Sequence, residues 1–370
     1  MNDAPDVLAG APPLPGPDPE PEPLTPRAIT LAAATVLTSI LVAVAAVLPM
    51  PYAVSSPGPT RDTLGEQDGT PLITVTGEPS YESTGHLLLT TVQVAGGPDY
   101  PVGIAQVLQG WFEADSSVSP VELVFAPSES RDDIDARNQA AMISSQENAT
   151  VAALEELGYE VPTVLTVEET VEGMGAEGVV QPGDVIVAVD GEEVPSFSAL
   201  SAALDAVAPG ATVVLGVERD GERHDLDVTT TEGEDGSAQL GVYIDPEFDL
   251  PVDVEIQIDN VGGPSAGTMF ALGIIDKLTE ADEANGVSIA GTGTMDLTGT
   301  VGPIGGIRHK MVGALEDGAM WFLAPASNCD EVVGYEPDGL EVVRVATLDE
   351  ARAAVEAIGA GEGEGLPRCE

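Results

Sequence analysis

The longest apolar run in the chain comes early. Ala28 to Leu48 reads AITLAAATVLTSILVAVAAVL and contains no charged residue. A helix of that length, rising about 1.5 Å per residue, spans about 30 Å, the thickness of a bilayer's hydrocarbon core. Residues 1–27 before it are rich in proline and acid and lack apolar periodicity, so they read as a disordered tail. A cleaved signal peptide has a shorter apolar stretch and no long acidic flank, so residues 28–48 read as an uncleaved transmembrane helix. Arg27 is the one basic residue ahead of the span. Its position puts the N-terminus in the cytoplasm and the chain after Pro49 outside it, at the cell membrane with a single pass.

Beyond the anchor the period of the pattern changes. LITVTG, HLLLTTVQV and PVELVFA have the composition and alternation of strands. Asp132 to Leu157 follows at helical spacing through Ile134, Met142, Ile143, Val151, Leu154 and Leu157, with Gly158 as a stop. Residues 52–160 therefore read as an α/β region with no evident chemistry. Asn148-Ala-Thr150 matches a glycosylation sequon but falls on that helix. The next stretch, residues 161–230, predicts a compact unit: strand, Pro-Gly turn, strand and Asp-Gly hairpin in VVQPGDVIVAVDGEEV, a short serine-capped helix in SFSALSAALDAV, and a hairpin about Asp220-Gly221.

Charge narrows the partners. Twelve basic against 63 acidic residues leave a formal net charge of −51. Such a surface repels phosphate backbones, which excludes nucleic acid, and it suits a solvated existence at high salt. Only two lysines occur, Lys277 and Lys310, so each needs a reason. Cys329 and Cys369 are too few for a disulfide framework, although one bridge is open to them. They lack the paired spacing of a zinc site and the three histidines are scattered, so no metal and no cofactor is expected.

The strongest chemical signal lies in residues 240–358. A strand-like VDVEIQID turns through NVGGPSAG into the apolar helix ALGIIDKL, which sets Ser265 at a glycine-rich strand-to-helix turn. Such a turn exposes the side chain, and the backbone N–H groups about Gly263, Pro264 and Ala266 lie where a helix start can hold an oxyanion. A plain N-cap with close packing would also explain the turn. Neither lysine follows glycine as GK[ST] requires, so the turn does not cradle ATP. The second element is GTGTMDLTGTVGPIGGIRHK. It reads as a hairpin over Thr292–Thr300, a glycine-rich loop and a helix carrying Lys310 in its first turns. The helix dipole and burial among Ile304, Ile307 and Val312 would both depress that lysine's pKa, allowing a neutral amine to take a serine proton. Lys277 sits toward the end of the preceding helix, where a cation is favoured, and reads as structural. His309 adjoins Lys310 but points in another direction on a helix.

Five segments carry a resemblance. GGPSAG (262–267), GTGTMDLTGTVGPIGGIRHK (291–310) and PASNCDEV (325–332) resemble the proteolytic domain of the Lon protease family. QPGDVIVAVDG (181–191) and VVLGVERDGE (213–222) resemble a PDZ domain of bacterial proteases. The whole layout resembles membrane-anchored bacterial PDZ–Lon proteins that lack an ATPase domain. The resemblance implies an α/β multidomain fold with one transmembrane helix, a PDZ-like domain and a Lon-type proteolytic domain ending in a flexible tail, residues 359–370. It implies an ATP-independent serine endopeptidase with Ser265 as nucleophile and Lys310 as general base. Thr294 is placed to support Lys310 with a hydrogen bond. It implies polypeptide substrates, flexible or membrane-proximal because no motor is present, and a hexameric ring. The PDZ-like unit would bind an extended peptide as an added strand, with a carboxylate-binding loop near GMGAEG (173–178). Gly262 departs from the acidic residue that many ATP-driven members carry before GPSAG. Two alternatives remain: an inactive adaptor that uses only its PDZ-like unit, and a structural envelope protein whose turns serve packing alone.

Overall fold

The computed structural model describes residues 25–126, 128–233 and 236–370. Most of the acidic segment 1–27 lies outside them. Helix α1 (Pro26–Val47) has Pro26 at its first position, and the Thr25 hydroxyl accepts from the Ala28 N–H. Its window Pro26–Val44 buries none of its apolar surface in the protein, so that surface needs an apolar surrounding from elsewhere.

The chain then forms a small antiparallel sheet, Ser117–Pro120, Tyr52–Pro57 and Val92–Ala95 in that order. A two-residue ladder pairs Pro49–Met50 with Val102–Gly103. Helix α2 (Ile104–Phe112) starts from that ladder and sets Val107 and Gly110 against the sheet. Helix α3 (Arg131–Glu156) carries a capping box between Ser130 and Asp133 and ends at Gly158 with φ +83°.

Residues 52–160 read in sequence as a region of their own, but the structure divides them. His86–Leu89 pairs in parallel with Ser288–Gly291, in a five-stranded sheet ordered Glu341–Val345, Trp321–Pro325, Ser288–Gly291, His86–Leu89, Arg61–Asp62. Leu87, Leu88 and Leu89 are all buried, as both faces of such a strand are covered. Helix α3 packs on α5 (Gly267–Leu278), its Met142, Ala149 and Ala153 joining Met269, Phe270 and Ile274 in one core. The early strands and α3 thus complete the C-terminal domain.

The middle unit has its own core of Leu165, Ile186, Leu200, Val213, Leu215 and Val228. Both Asp-Gly turns, at 190–191 and 220–221, hold two consecutive positive φ angles, as tight hairpins need. Ser196 caps helix α4 (Phe197–Asp205). The Arg219 guanidinium donates two hydrogen bonds to buried Asp184, fixing the QPGD turn and holding that carboxyl below its ordinary pKa. Its sheet does not end near residue 230. Val242–Phe248 returns to pair with Thr163–Thr170 and forms one edge.

The C-terminal layer continues with α6 (Ile307–Glu316), a single turn α7 (Cys329–Val332) and α8 (Leu348–Gly359). Residues 359–370, expected as a loose tail, are instead fastened. Arg344 donates its N–H to Pro367, the Arg368 guanidinium lies over the Trp321 ring and pairs with Glu341, and Cys369 forms a disulfide with Cys329. These partners are all distant in sequence, so a Gly/Glu-rich composition gives no sign of them.

Candidate active site

Ser265 stands half-buried on the turn that leads into α5. The turn is held from three sides. Gly263, at φ +85°, donates its N–H to the Asn138 carbonyl at 2.9 Å. The buried Ser145 hydroxyl donates to the Pro264 carbonyl at 3.0 Å. The Ser265 carbonyl accepts from the Gly293 N–H at 3.0 Å and from the Thr292 hydroxyl at 2.9 Å. Close approach explains one glycine in particular. A Cβ on Gly267 would lie 2.8 Å from Met295, so only glycine lets α5 start this near the second loop.

Lys310 reaches the same point from α6. The glycine loop ends at Gly306 in a left-handed conformation, φ +71°, and aims the helix so that Lys310 runs inward. The side chain is 2% exposed. Its Nζ lies 2.8 Å from Ser265 Oγ and 2.8 Å from Thr292 Oγ1. Burial pushes the amine down to about 7. Desolvation penalises the charged form, and no carboxylate lies within ion-pair distance of Nζ among the described residues. The loop itself is clamped by Asn328, whose side chain bonds both the N–H and the carbonyl of Ile304.

The other sequence-derived positions divide. Thr294 does not meet Lys310; it pairs with Gly302 in the hairpin, and Thr292 takes the lysine contact. The two threonines are indistinguishable by composition, and Gly293 between them stands at φ +154°. Pro264 has no N–H to donate, and that of Gly263 is engaged by Asn138. Of the three turn positions only Ala266, at the start of α5, keeps an N–H without an acceptor among the described residues, and that of Ser265 is likewise unengaged. His309 turns outward to the Asp115 carbonyl and the Ser117 hydroxyl, each at 2.9 Å. Lys277 lies in the last turn of α5. A side chain on Gly262 would meet Asn138 with its Cβ at 2.9 Å, so an acidic residue does not fit there without a shift of α3.

Sequence reasoning missed the part played by α3. Asn138, Ser145 and Asn148 bond the two loops, Asn148 through the Met295 carbonyl at 3.2 Å. Ser145 and Asn148, polar residues three apart on this helix, are the available signal, whereas Asn138 acts through its main-chain carbonyl. Two clefts meet at Gly262, three residues before Ser265. One, of about 990 Å³, is lined by polar groups including Gln67, Gln146 and Gln257. The other, of about 610 Å³, is lined by Val92, Val94, Phe125 and Ile134. No cluster of metal-ligating side chains occurs among the described residues.

Comparison with known proteins fits this geometry. Residues 244–355 match the family model of the Lon protease (S16) C-terminal proteolytic domain, and residues 145–230 match that of the PDZ domain. Lon protease 1 of Sorangium cellulosum is 37% identical over 32% of this chain and 15% of its own length. Lon protease 2 of Bacillus subtilis is 34% identical over 27% of this chain and 18% of its own. The chain thus matches less than a fifth of the length of these relatives. Among solved structures, the PDZ domain of an SdrC-like protein from Listeria monocytogenes covers 22% of this chain and 86% of its own at 20% identity, with a TM-score of 0.21. The chain therefore joins a stretch that matches the PDZ domain to one that matches the Lon-type proteolytic domain.

Proposed function

We propose that this chain is a membrane-anchored endopeptidase that cleaves peptide bonds with a Ser265–Lys310 dyad and without nucleotide. The observation that supports it most is the 2.8 Å approach of Ser265 Oγ to a buried Lys310 whose amine is poised near pH 7. The neutral amine takes the Ser265 proton as Oγ attacks the scissile carbonyl. The unengaged N–H groups of Ser265 and Ala266, at the positive end of α5, hold the oxyanion. Lysine then protonates the leaving amine, an acyl-enzyme forms, and the same lysine activates the water that releases it. Thr292 fits a positioning part. Its proton is committed to the Ser265 carbonyl, so it accepts from Nζ and leaves the amine lone pair for Ser265.

Substrates are unfolded or flexible segments that thread the two clefts beside Gly262. The PDZ domain takes an extended peptide along Val242–Phe248, whose outer edge bears no further strand among the described residues. The apolar α1 anchors the domain outside the cytoplasm, which accords with a Cys329–Cys369 disulfide that a reducing compartment would not keep. A ring of copies is the assembly that resemblance to Lon enzymes suggests. The test uses the full chain in detergent or nanodiscs with an unfolded protein substrate and no nucleotide. Ser265→Ala and Lys310→Ala should each abolish cleavage, and near-normal turnover by Lys310→Ala would sink the dyad.

A further inference from the structure

We infer that α2 is an interfacial helix, lying on the outer surface of the same bilayer that α1 crosses and seating Leu108, Trp111 and Phe112 at the boundary between headgroups and acyl chains. The inference rests on the membrane-anchored reading and adds a second contact to it. Helix α2 is apolar on two sides. Val107 and Gly110 face the small sheet and are buried, whereas Leu108, Trp111 and Phe112 face out. Phe112 is 86% exposed, and spacings of three and four residues put it on one stripe with Leu108 and Trp111. An exposed stripe with a phenylalanine and a tryptophan needs an apolar partner.

The chain's own path says what that partner is. Helix α1 ends at Val47, and Pro49–Met50 immediately pair with Val102–Gly103, the residues that lead into α2. Helices α1 and α2 are in contact. Two residues after that ladder, Tyr52 packs its ring edge-on to Trp111 with centroids 6.1 Å apart. A tyrosine and a tryptophan thus sit together within a few residues of the point where an apolar span ends. Their amphipathic rings favour the headgroup level of a bilayer. No lysine or arginine occurs in Ile104–Phe112, and Glu113 and Asp115 follow it. Attachment therefore depends on apolar area and not on anionic lipid, with a depth of about 5–10 Å. Because α2 covers Tyr52–Pro57 in the same sheet as Val92–Ala95, this contact would fix the apolar cleft at a set height above the membrane.

The experiment reads Trp111 fluorescence in the full chain reconstituted in phosphatidylcholine bilayers with brominated acyl chains. Trp321 is the one other tryptophan, so the native chain is compared with Trp111→Phe, a surface change that leaves the Trp321 signal in both. The native chain should lose a clearly larger share of its emission to bromolipid than Trp111→Phe, and the Trp111 contribution should resist aqueous acrylamide. Equal bromolipid quenching in the two proteins overturns the inference: with Trp111 open to acrylamide the face is in water, and with Trp111 shielded it is covered by protein. Ile40→Trp in the Trp111→Phe background separates the two readings. Quenching at that site without quenching at Trp111 leaves the anchor standing and removes α2 from the membrane. Absence of quenching at both sites overturns the anchor as well.

Discussion

Thr292 Oγ1 lies 2.8 Å from Lys310 Nζ while donating its own proton, at 2.9 Å, to the carbonyl of Ser265. One hydroxyl thus ties the lysine to the backbone of Ser265. The arrangement predicts that Thr292→Val lowers kcat by about 10–100-fold, the effect of losing a hydrogen bond to an ionisable group, with KM little changed. Thr292→Ser should restore most of the rate. Thr294→Val, two residues on in the hairpin, should stay within about threefold of the native enzyme, because Thr294 makes no contact with Lys310. Steady-state kinetics on an unfolded substrate checks all three, and equal losses at 292 and 294 would remove the special standing of Thr292.

Lys310 carries a stability cost with a definite pH dependence. Burial takes its pKa from 10.5 to about 7 in the folded protein. Below pH 7 both folded and unfolded chains hold the proton, and the desolvation cost is present in full. Between about 7 and 10.5 the unfolded chain binds more protons, so stability rises with pH; above that range the cost is gone. Lys310→Met should therefore be inactive yet more stable at pH 7, by about 2–4 kcal/mol after the lost hydrogen bonds are subtracted. The gain should shrink toward pH 10. Denaturant titrations of both proteins across that range measure it. In the native enzyme kcat/KM should rise with pH through an apparent pKa near 7, the value for the free enzyme's base.

Much of this site was legible before any coordinates. Ser265 stands in a glycine-rich turn ahead of an apolar helix and Lys310 in the first turns of the helix that follows a second glycine-rich loop, and local pattern suffices to place both. The apolar N-terminal helix, the Asp-Gly hairpins, the serine-capped α4 and the helix ending at Gly158 are equally local. What escaped were relations across long separations. His86–Leu89 joins a sheet with Ser288–Gly291, Val242–Phe248 returns to Thr163–Thr170, and Cys369 meets Cys329. Nothing in the sequence near one partner marks the other. Choosing Thr292 over Thr294 needed the placement of Lys310 Nζ, since both threonines belong to one GTGT run.

Helix α3 is the least anticipated member of the site, and Ser145 tests it. The Ser145 hydroxyl is buried and holds the Pro264 carbonyl, one residue before Ser265. Ser145→Ala keeps the helix, since alanine is the better helix former, and removes only that bond. Stability should fall by about 1 kcal/mol and kcat by about 3–10-fold, with KM held. A loss of stability with unchanged kcat would make Ser145 a packing residue and leave the turn self-supporting.

The Cys329–Cys369 bridge tests both the fastened C-terminus and the proposed placement outside the cytoplasm. It closes a separation of 40 residues, and constraint of the unfolded chain over that length is worth about 3–4 kcal/mol. Cys369→Ser should lower the melting temperature, and the native protein in strong reductant should fall to the same value, while the variant should not respond to reductant. Turnover below the melting range should stay within about twofold, because the Asn328 clamp on Ile304 and the Ser265–Lys310 contact use no sulfur. In the cell the bond persists only in an oxidising compartment. Cells lysed directly into a thiol-reactive reagent of high mass should give an unshifted band for the native chain and a shifted one for Cys369→Ser, in which Cys329 is freed. A native chain found fully reduced would overturn the proposed placement of the disulfide-bonded domain outside the cytoplasm.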